Sequence, residues 1–513
     1  MNSVPSKFIS LVPTNGSIFD GGSGRKIIFE LEPSLGFVKG RDSYLNLQIL
    51  NNDTTERQRV MFNNLAGADS IINRVDVYSL KTGQHLETLQ NYNQWAGIEN
   101  QYFYDDKTNI RSLGGVGSEA YANDVVDTAG NVQPTAPLAN SVNDGVLSPV
   151  DTNGNPVYNF RNFTCPLKCG IFRWWDDERL CPILNLLGLR IEITLEDPKA
   201  CLLNLEAVDS SGAAISLIGD QGIGFADMNN TATATSTTAF ANPVRDCGLA
   251  IGNKIALRNN TGAQFAIRTI TAMAAAGDKV VLTLDSATTG GLQEGVVGAL
   301  PNDTRAYQVK PEFRVLSIQP QDVGDMMSGI DYEFTSYDLY FDTLFASQRK
   351  HQTDIPSVQT RALAIMNHYE NPTNNNHRTF SSYFTGENPS QMNLNSVQYF
   401  IKGRLQPVRD YDPRPKQEKI ISEHELVKAL STINKEPQDL GQSDKHNLNN
   451  YTNTYLNARE LARGNYFYDL SDAEPQLRLG FSGTRTDNIT INTYVWSKKI
   501  VVADPQQGLR VIL

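Results

Sequence analysis

The segment whose residue types are best suited to catalysis or ligand binding is RWWDDERL, Arg173 to Leu180. Trp174 and Trp175 stand directly before Asp176, Asp177 and Glu178, so flat rings that suit a sugar lie beside acids. Glycosidases place two carboxylates at a fixed separation across the substrate, and adjacent carboxylates do not define that separation. The segment therefore has two interpretations. It is either the site of a β-sandwich carbohydrate-active enzyme or host-glycan-binding module, or an acidic turn whose tryptophans cover a core or a subunit contact. The second is favoured.

Cysteine and histidine offer little further chemistry. An odd count of five cysteines in 513 residues does not suggest a disulfide framework. Cys165, Cys169 and Cys181 lie close in sequence, but the nearest histidine is His85, so a fourth zinc ligand is lacking. Buried thiols are the favoured interpretation. The sequence also lacks a phosphate-binding loop, a dinucleotide fingerprint and the common hydrolase motifs. We predict no catalytic residue, no cofactor and no metal.

Composition argues against a surface made for nucleic acid. The formal net charge is -11, whereas phosphate binding needs clustered lysine and arginine. Sequence-specific nucleic-acid binding is therefore not expected. No stretch reaches the roughly 20 apolar residues of a membrane helix, and the N-terminal residues do not have the pattern of a signal peptide.

Alternating apolar and polar residues predict many β-strands. In LRIEITLEDP the residues Leu189, Ile191, Ile193 and Leu195 share one face. The same period occurs in the following segments: RKIIFELE, SYLNLQIL, NRVDVYSL, YEFTSYDLYFDTLF, RALAIMNHY, SVQYFIKGR, QLRLGFSG and NITINTYVWSKKIVV. Many short strands with turns rich in Gly, Asn and Asp are typical of antiparallel sandwiches.

Only a few helices are predicted. HLETLQNYNQWAGIENQYF has apolar residues at helical spacing. SEHELVKALSTI has Ser422 as a candidate N-cap and Glu425 as its capping-box partner. NARELARG is a third candidate, and residues 112–156 are predicted to be long surface loops.

Residues 203 to about 305 differ in character from the rest. NNTATATSTTAF is polar and low in complexity, and three strand patterns follow, NKIALRNNTG, QFAIRTITAM and DKVVLTLDSATTG. We interpret this segment as a small β-rich insertion.

Several blocks together resemble a known family. FTCPLKCGIFRWWDDERLCPILNLLGLRIEITLEDP contains the turn Gly170–Phe172 and the strand that follows it. Tyr337–Gln352 looks like a strand that closes a first sandwich, Asn388–Arg404 looks like early strands of a second, and ITINTYVWSKKIVV looks like a final strand. These patterns resemble the double jelly-roll major capsid proteins of double-stranded DNA viruses, closest in character to those of virophages, polintons and polinton-like viruses.

The resemblance implies an all-β fold of two tandem eight-stranded antiparallel jelly rolls. The expected first jelly roll covers residues 1–350 and includes the insertion at about 203–305 as an outward tower. The second covers residues 351–513. An alternative boundary near Ala200 would make the insertion an interdomain segment.

The resemblance also implies a structural function without catalysis. Such proteins form pseudo-hexameric homotrimers that tile an icosahedral shell around a double-stranded DNA genome, so the expected location is the virion. Expected partners are further copies of the chain, penton proteins and minor capsid proteins. Aromatic enrichment at interfaces makes Trp174, Trp175 and Trp496 candidate subunit contacts. A fibre is disfavoured, because no shaft repeat or heptad pattern is found.

Overall fold

A computed structural model provides the fold. It describes residues 6–20, 26–51, 60–62, 66–102, 160–173, 180–197, 201–204, 206–208, 214–216, 224–226, 232–236, 243–246, 254–258, 265–287, 294–297, 307–318, 331–356, 358–370, 392–414, 417–433, 455–462, 467–485, 488–504 and 508–512. The predicted loop at 112–156 lies outside this range.

The described residues form thirty strands and three α-helices. The strands of the first half are β1 (Ser6–Leu11), β2 (Phe19–Asp20), β3 (Lys26–Leu31), β4 (Phe37–Val38), β5 (Tyr44–Asn51), β6 (Val60–Phe62), β7 (Ile72–Ser79), β8 (His85–Gln90), β9 (Phe160–Pro166), β10 (Cys181–Pro182) and β11 (Leu189–Leu195). Those of the insertion are β12 (Leu202–Asn204), β13 (Glu206–Val208), β14 (Ala214–Ser216), β15 (Gly224–Ala226), β16 (Thr233–Ser236), β17 (Lys254–Arg258), β18 (Phe265–Ala276), β19 (Lys279–Leu284) and β20 (Glu294–Val297).

The remaining strands are β21 (Tyr307–Ile318), β22 (Asp331–Leu344), β23 (Lys350–Asp354), β24 (Ala362–Glu370), β25 (Leu394–Ile401), β26 (Arg404–Tyr411), β27 (Leu456–Glu460), β28 (Gln476–Phe481), β29 (Ile489–Asp504) and β30 (Gly508–Ile512). The helices are α1 (Tyr92–Tyr102), α2 (Pro243–Asp246) and α3 (Lys419–Thr432).

The first half is a sandwich of two antiparallel sheets. One sheet has the order β10-β4-β21-β5-β9, with β1 and β2 also paired to β21, and the other has the order β3-β11-β7-β8. Its eight principal strands in chain order are β1, β3, β5, β7, β8, β9, β11 and β21. With these counted from one to eight, the sheets have the orders 1-8-3-6 and 2-7-4-5.

The second half repeats this order. Its sheets are β22-β29-β24-β27 and β23-β28-β25-β26, with β30 paired to β29. When β22 to β29 are counted from one to eight, the orders are again 1-8-3-6 and 2-7-4-5. Two four-stranded sheets connected in this way form a jelly roll. The predicted pair of tandem jelly rolls is confirmed.

One strand lies in the other jelly roll from the one predicted. Tyr337–Gln352 was expected to close the first roll, but β22 pairs with β29 from Asp331↔Val502 to Leu344↔Ile489. This prediction is wrong, because β21 already fills the closing position between β1 and β5. The strand β22 opens the second roll. Similarly, β25 within Asn388–Arg404 is the fourth strand of that roll, and β30 follows the predicted final strand β29.

The insertion leaves the first roll between its seventh and eighth strands, β11 and β21. Its three predicted strands are confirmed as β17, β18 and β19. They join β15, β16 and β20 in a closed barrel of order β15-β16-β19-β18-β17-β20. The inward residues are small and apolar, such as Ala234, Val280 and Leu282. Closure lets the insertion bury its own strand edges.

The helix predictions have mixed outcomes. The first candidate is a strand, β8, followed by α1. The second is confirmed as α3, but the helix begins earlier, with Glu418 as N-cap, and the proposed cap Ser422 is a buried interior residue. The third, NARELARG, is wrong, because Leu456–Glu460 pairs with β24 as strand β27. Cross-strand pairing outweighs the local helical propensity there.

Candidate assembly interface

The two jelly rolls are joined by a buried aromatic cluster. Trp95 of α1 lies in the first roll, and its ring centroid is 4.7 Å from that of Trp496 on β29. Tyr494, also on β29, and Tyr337 on β22 complete the cluster, at 5.3 and 5.7 Å from Trp95. All four rings are at most 3% exposed. This packing makes the two rolls one unit, since aromatic contacts of this kind contribute beyond simple area burial.

The sequence places these rings by strand alternation. On β29, Ile491 and Val495 point into the core of the second roll. Tyr494 and Trp496 point to the opposite face and belong to the apolar cluster that continues from the first roll. A strand with one core face usually exposes the other. Here the other face is covered by the first roll, so both faces are buried.

A polar network lies beside the aromatic cluster. The Gln94 side chain of α1 donates to Glu370 Oε2 at 2.8 Å, and its amide oxygen accepts from Asn492 at 3.1 Å and from the Tyr494 hydroxyl at 3.2 Å. Because buried polar groups must be paired, these bonds tolerate one relative position of the rolls. The network therefore specifies how the second roll docks on the first.

Glu87 provides a second polar connection. Its carboxylate accepts from the backbone N–H groups of Gly170 at 2.9 Å and Ile171 at 3.0 Å, both in a 3-10 turn of the first roll. It also accepts from the Ser336 hydroxyl of β22 at 2.6 Å. Burial raises the pKa of the Glu87 carboxyl above its ordinary value, and the three hydrogen bonds oppose that shift. One buried acid thus ties the turn to the second roll.

Gly170 is required by the close approach of the two rolls. A Cβ atom at this position would lie 2.1 Å from the backbone oxygen of Thr335 on β22. No other residue fits without moving one roll relative to the other. The predicted Gly170–Phe172 turn is confirmed and lies at the contact.

The predicted interface residues fall in two groups. Trp174 and Trp175, together with the acids Asp176, Asp177 and Glu178, lie outside the described residues. Trp496 is described, and its ring is 3% exposed and packs against Trp95 of the same chain. Its ring therefore makes a contact within the chain, and its role at a subunit contact stays a prediction. Sequence analysis missed Trp95, Gln94 and Glu87, each of which has a partner more than 200 residues away in sequence.

The described residues contain no group of three or more metal-ligating side chains. Four of the five cysteines are described, and each is a buried free thiol. This agrees with the prediction of buried thiols. Burial raises the pKa of the Cys181 thiol to about 12, so this thiol is uncharged at neutral pH.

The second roll has exposed apolar side chains on β26 and on α3. Val408 is 88% exposed and Ile420 is 76% exposed, with Leu405 and Ile421 less so. The two elements are held together by Arg459, which donates to Glu425 of α3 and Gln406 of β26. An Arg409–Glu418 ion pair adds a second link. We call Leu405, Val408, Ile420 and Ile421 the β26–α3 surface. Among the described strands, β26 also lies at the edge of its sheet, with β25 on one side, and the backbone groups of an edge strand can pair with another chain.

Comparison with known proteins gives structural matches only. No protein-family model matches the sequence, and no curated protein matches it. The structure of PBCV-1 VP54 fitted into a reconstruction of the virophage Sputnik superposes with a TM-score of 0.50 at 10% identity, over 100% of this chain and 98% of that one. The Faustovirus major capsid protein superposes with a TM-score of 0.50 at 10% identity, over 97% of this chain and 90% of that one. This chain has the double jelly-roll fold of viral major capsid proteins. The likeness spans both jelly rolls.

Among the described helices, none is both long and apolar enough to cross a bilayer.

Proposed function

We propose that this chain is the major capsid protein of an icosahedral double-stranded DNA virus and resides in the virion. One observation carries the proposal: a single chain holds two jelly rolls of identical strand order, fixed together by a buried contact. Three such chains around a threefold axis present six similar sandwiches. A trimer can therefore fill a six-sided position in a shell, which needs broad self-complementary surfaces and no active site.

We further propose the domain division and the tower. The strand pairing supports a first roll up to Ile318 and a second from Asp331, with the connection at 319–330 in place of the boundary expected at 350. The closed barrel within 203–305 would be the tower. Penton and minor capsid proteins remain proposed partners.

We place one subunit contact at the β26–α3 surface. Val408 is 88% exposed and Ile420 is 76% exposed, which is costly in water, and a neighbouring copy that covers the β26–α3 surface would bury both. Trp174 and Trp175 are further candidates, since tryptophan is enriched at interface centres.

Light scattering after size exclusion tests the proposed trimer. We expect a mass three times the chain mass of 56.8 kDa, and six-sided particles in negative-stain images. Val408→Asp is expected to reduce the trimer fraction without lowering the unfolding temperature, because Val408 lies on the surface. Val358→Asp, at a valine 53% exposed elsewhere on the second roll, is the matched control.

A stable monomer would refute the assembly proposal. If that monomer also bound glycans, and lost binding on Asp177→Asn, the carbohydrate interpretation of Trp174–Glu178 would replace it. A normal trimer formed by Val408→Asp would refute the contact alone.

A further inference from the structure

A lysine and an aspartate meet deep inside the first jelly roll. The Lys168 ammonium contacts the Asp69 carboxylate, and their side chains are 3% and 2% exposed. Lys168 follows β9, whereas Asp69 lies in the 3-10 turn Gly67–Ile71 before β7. The two residues are 99 positions apart. Lysine is almost never this deeply buried unless it has a specific partner.

The surroundings of the pair hold it in one geometry. The Tyr92 hydroxyl on α1 lies 3.4 Å from Asp69 Oδ1 and accepts from the backbone N–H of Lys168 at 2.9 Å. The Cys165 thiol also hydrogen-bonds the Asp69 carboxyl. One aromatic side chain thus contacts both members of the pair and holds the backbone of Lys168 beside Asp69.

Burial also favours the protonated form of Asp69. Removing a carboxylate from water is costly, and protonation relieves that cost. Burial raises the pKa of the Asp69 carboxyl, Lys168 lowers it, and the charge of buried Glu99 raises it. A carboxylic acid and an amine in contact are the two reactants of amide formation.

We propose that Lys168 and Asp69 are a modification site at which an intramolecular isopeptide bond forms. A proton passes from the Lys168 ammonium to the Asp69 carboxylate, the lone pair of Nζ then attacks Asp69 Cγ, and a C–N bond forms. The carboxyl C–O bond then breaks, and the departing hydroxyl takes a proton from the nitrogen and leaves as water. One amine and one acid give one amide and one water, so no oxidant or co-reactant is needed. The net charge of the chain is unchanged, because one charge of each sign is lost.

Two features of the site favour this reaction over a permanent ion pair. Groups held in contact react as if at very high concentration, with effective molarities of about 10⁵–10⁸ M for well-oriented pairs. The released water enters an apolar core that contains Leu167 and Ile71, where bulk water for the reverse hydrolysis is excluded. In the other lysine ion pairs of the described residues at least one side chain is more exposed, such as Asp338 at 26% in Lys499–Asp338 and Lys26 at 47% in Lys26–Glu192. The inference is independent of the proposed capsid function.

Mass spectrometry of the full-length protein under denaturing conditions tests the inference. We expect the intact mass to be lower than the sequence mass by one water. Trypsin is expected to release a branched peptide that joins residues 60–74 to residues 162–173, with no cleavage after Lys168. Lys168→Arg keeps the charge but cannot form the bond, so its mass should equal the sequence mass. Lys26→Arg is the matched control and should keep the loss of water.

Two results would overturn the inference. One is a wild-type mass equal to the sequence mass with complete cleavage after Lys168. The other is a loss of water without a branched peptide, because an aspartate can also lose water by closing on its own backbone. If Lys168→Arg does not fold, the tryptic digest of the wild-type protein is by itself sufficient to test the inference.

Discussion

Glu87 and Gly170 show how single residues fix the relative position of the two rolls. The acid accepts three hydrogen bonds from groups on both sides of the contact, and the glycine leaves room for the backbone of β22. Neither role is visible in the sequence, because the segment around Glu87 has the apolar spacing of a helix, on which a glutamate is an ordinary surface residue. The four described cysteines are the opposite case. Their burial was predictable from residue type and low number alone.

Glu87→Gln is expected to destabilise the protein by about 1–3 kcal/mol. In glutamine an NH₂ group replaces one of the two carboxylate oxygens. That NH₂ group would face a buried backbone N–H group, which would lose its hydrogen-bond acceptor. Denaturant unfolding monitored by tryptophan fluorescence measures the change. Glu32→Gln is the control, since the side chain of Glu32 is 56% exposed and its loss should cost little. Equal effects at the two sites would contradict the assigned role.

We also expect the stability of the protein to depend on pH through the Glu87 carboxyl. The pKa of Glu87 is raised in the folded protein, so the folded state keeps a proton that the unfolded state releases. Its contribution to stability is therefore full below the unfolded pKa of 4.5 and is lost as the pH rises through the folded pKa. Glu87→Gln should remove the part of the loss of stability with rising pH that the Glu87 carboxyl causes. The difference in unfolding free energy between the two proteins, measured from acidic to neutral pH, should shrink as the pH rises.

Gly170→Ala is expected to cost about 1–3 kcal/mol or to separate the rolls. The new methyl group would meet the Thr335 backbone oxygen, which cannot move without shifting β22. Gly483→Ala is a fair comparison, because its Cβ would meet nothing nearer than 3.5 Å. Thermal unfolding and limited proteolysis together report stability and separation. An unchanged melting temperature for Gly170→Ala would show that the rolls are not in close contact.

At the scale of elements, the strands were largely predictable and their neighbours were not. Alternation identified β3, β5, β7, β11 and β29 correctly, because burial of one face imposes a period of two. It did not show that the second face of β29 is covered as well. The helix predicted at NARELARG failed for the same reason, since β27 takes its conformation from pairing with β24. Long-range contacts decided both cases.

The aromatic cluster predicts strong coupling between α1 and β29. Trp95→Ala and Trp496→Ala should each cost about 3–5 kcal/mol. The double variant should cost less than the sum, with an interaction energy of about 0.5–3 kcal/mol, because the rings are in contact. A double-mutant cycle by denaturant unfolding measures this. Phe8→Ala is the control, since Phe8 is 63% exposed. Additive effects of the two tryptophans would rule out a shared cluster.

Because the insertion forms a closed barrel of its own, we expect that it can be removed without unfolding the two rolls. Replacing residues 205–298 by a short Gly-Ser linker should leave the melting temperature of the two rolls within a few degrees of wild type, because the barrel pairs its own strand edges. Circular dichroism and light scattering test folding and assembly. Unfolding of the shortened chain would mean that the insertion stabilises the first roll.

At the scale of the whole molecule, the fold class followed from strand number and turn chemistry, and the family resemblance supplied the tandem arrangement. The position of Tyr337–Gln352 did not follow. A strand pattern shows that one face is buried, but it does not show in which of two similar sandwiches the strand lies. The register with β29 decides this, and register is set by contacts that are distant in sequence.

The pairing of first and last strands has a consequence for how such a chain can originate. In the first roll Ser6 pairs with Ile318, and in the second Asp331 pairs with Val502. Each roll therefore receives and releases the chain at one place. A gene segment that encodes such a unit can be duplicated in tandem, because joining tail to head needs only a short connection and opens neither sheet. Divergence can then erase the repeat from the sequence while the alternation of buried residues and the strand order persist in both copies.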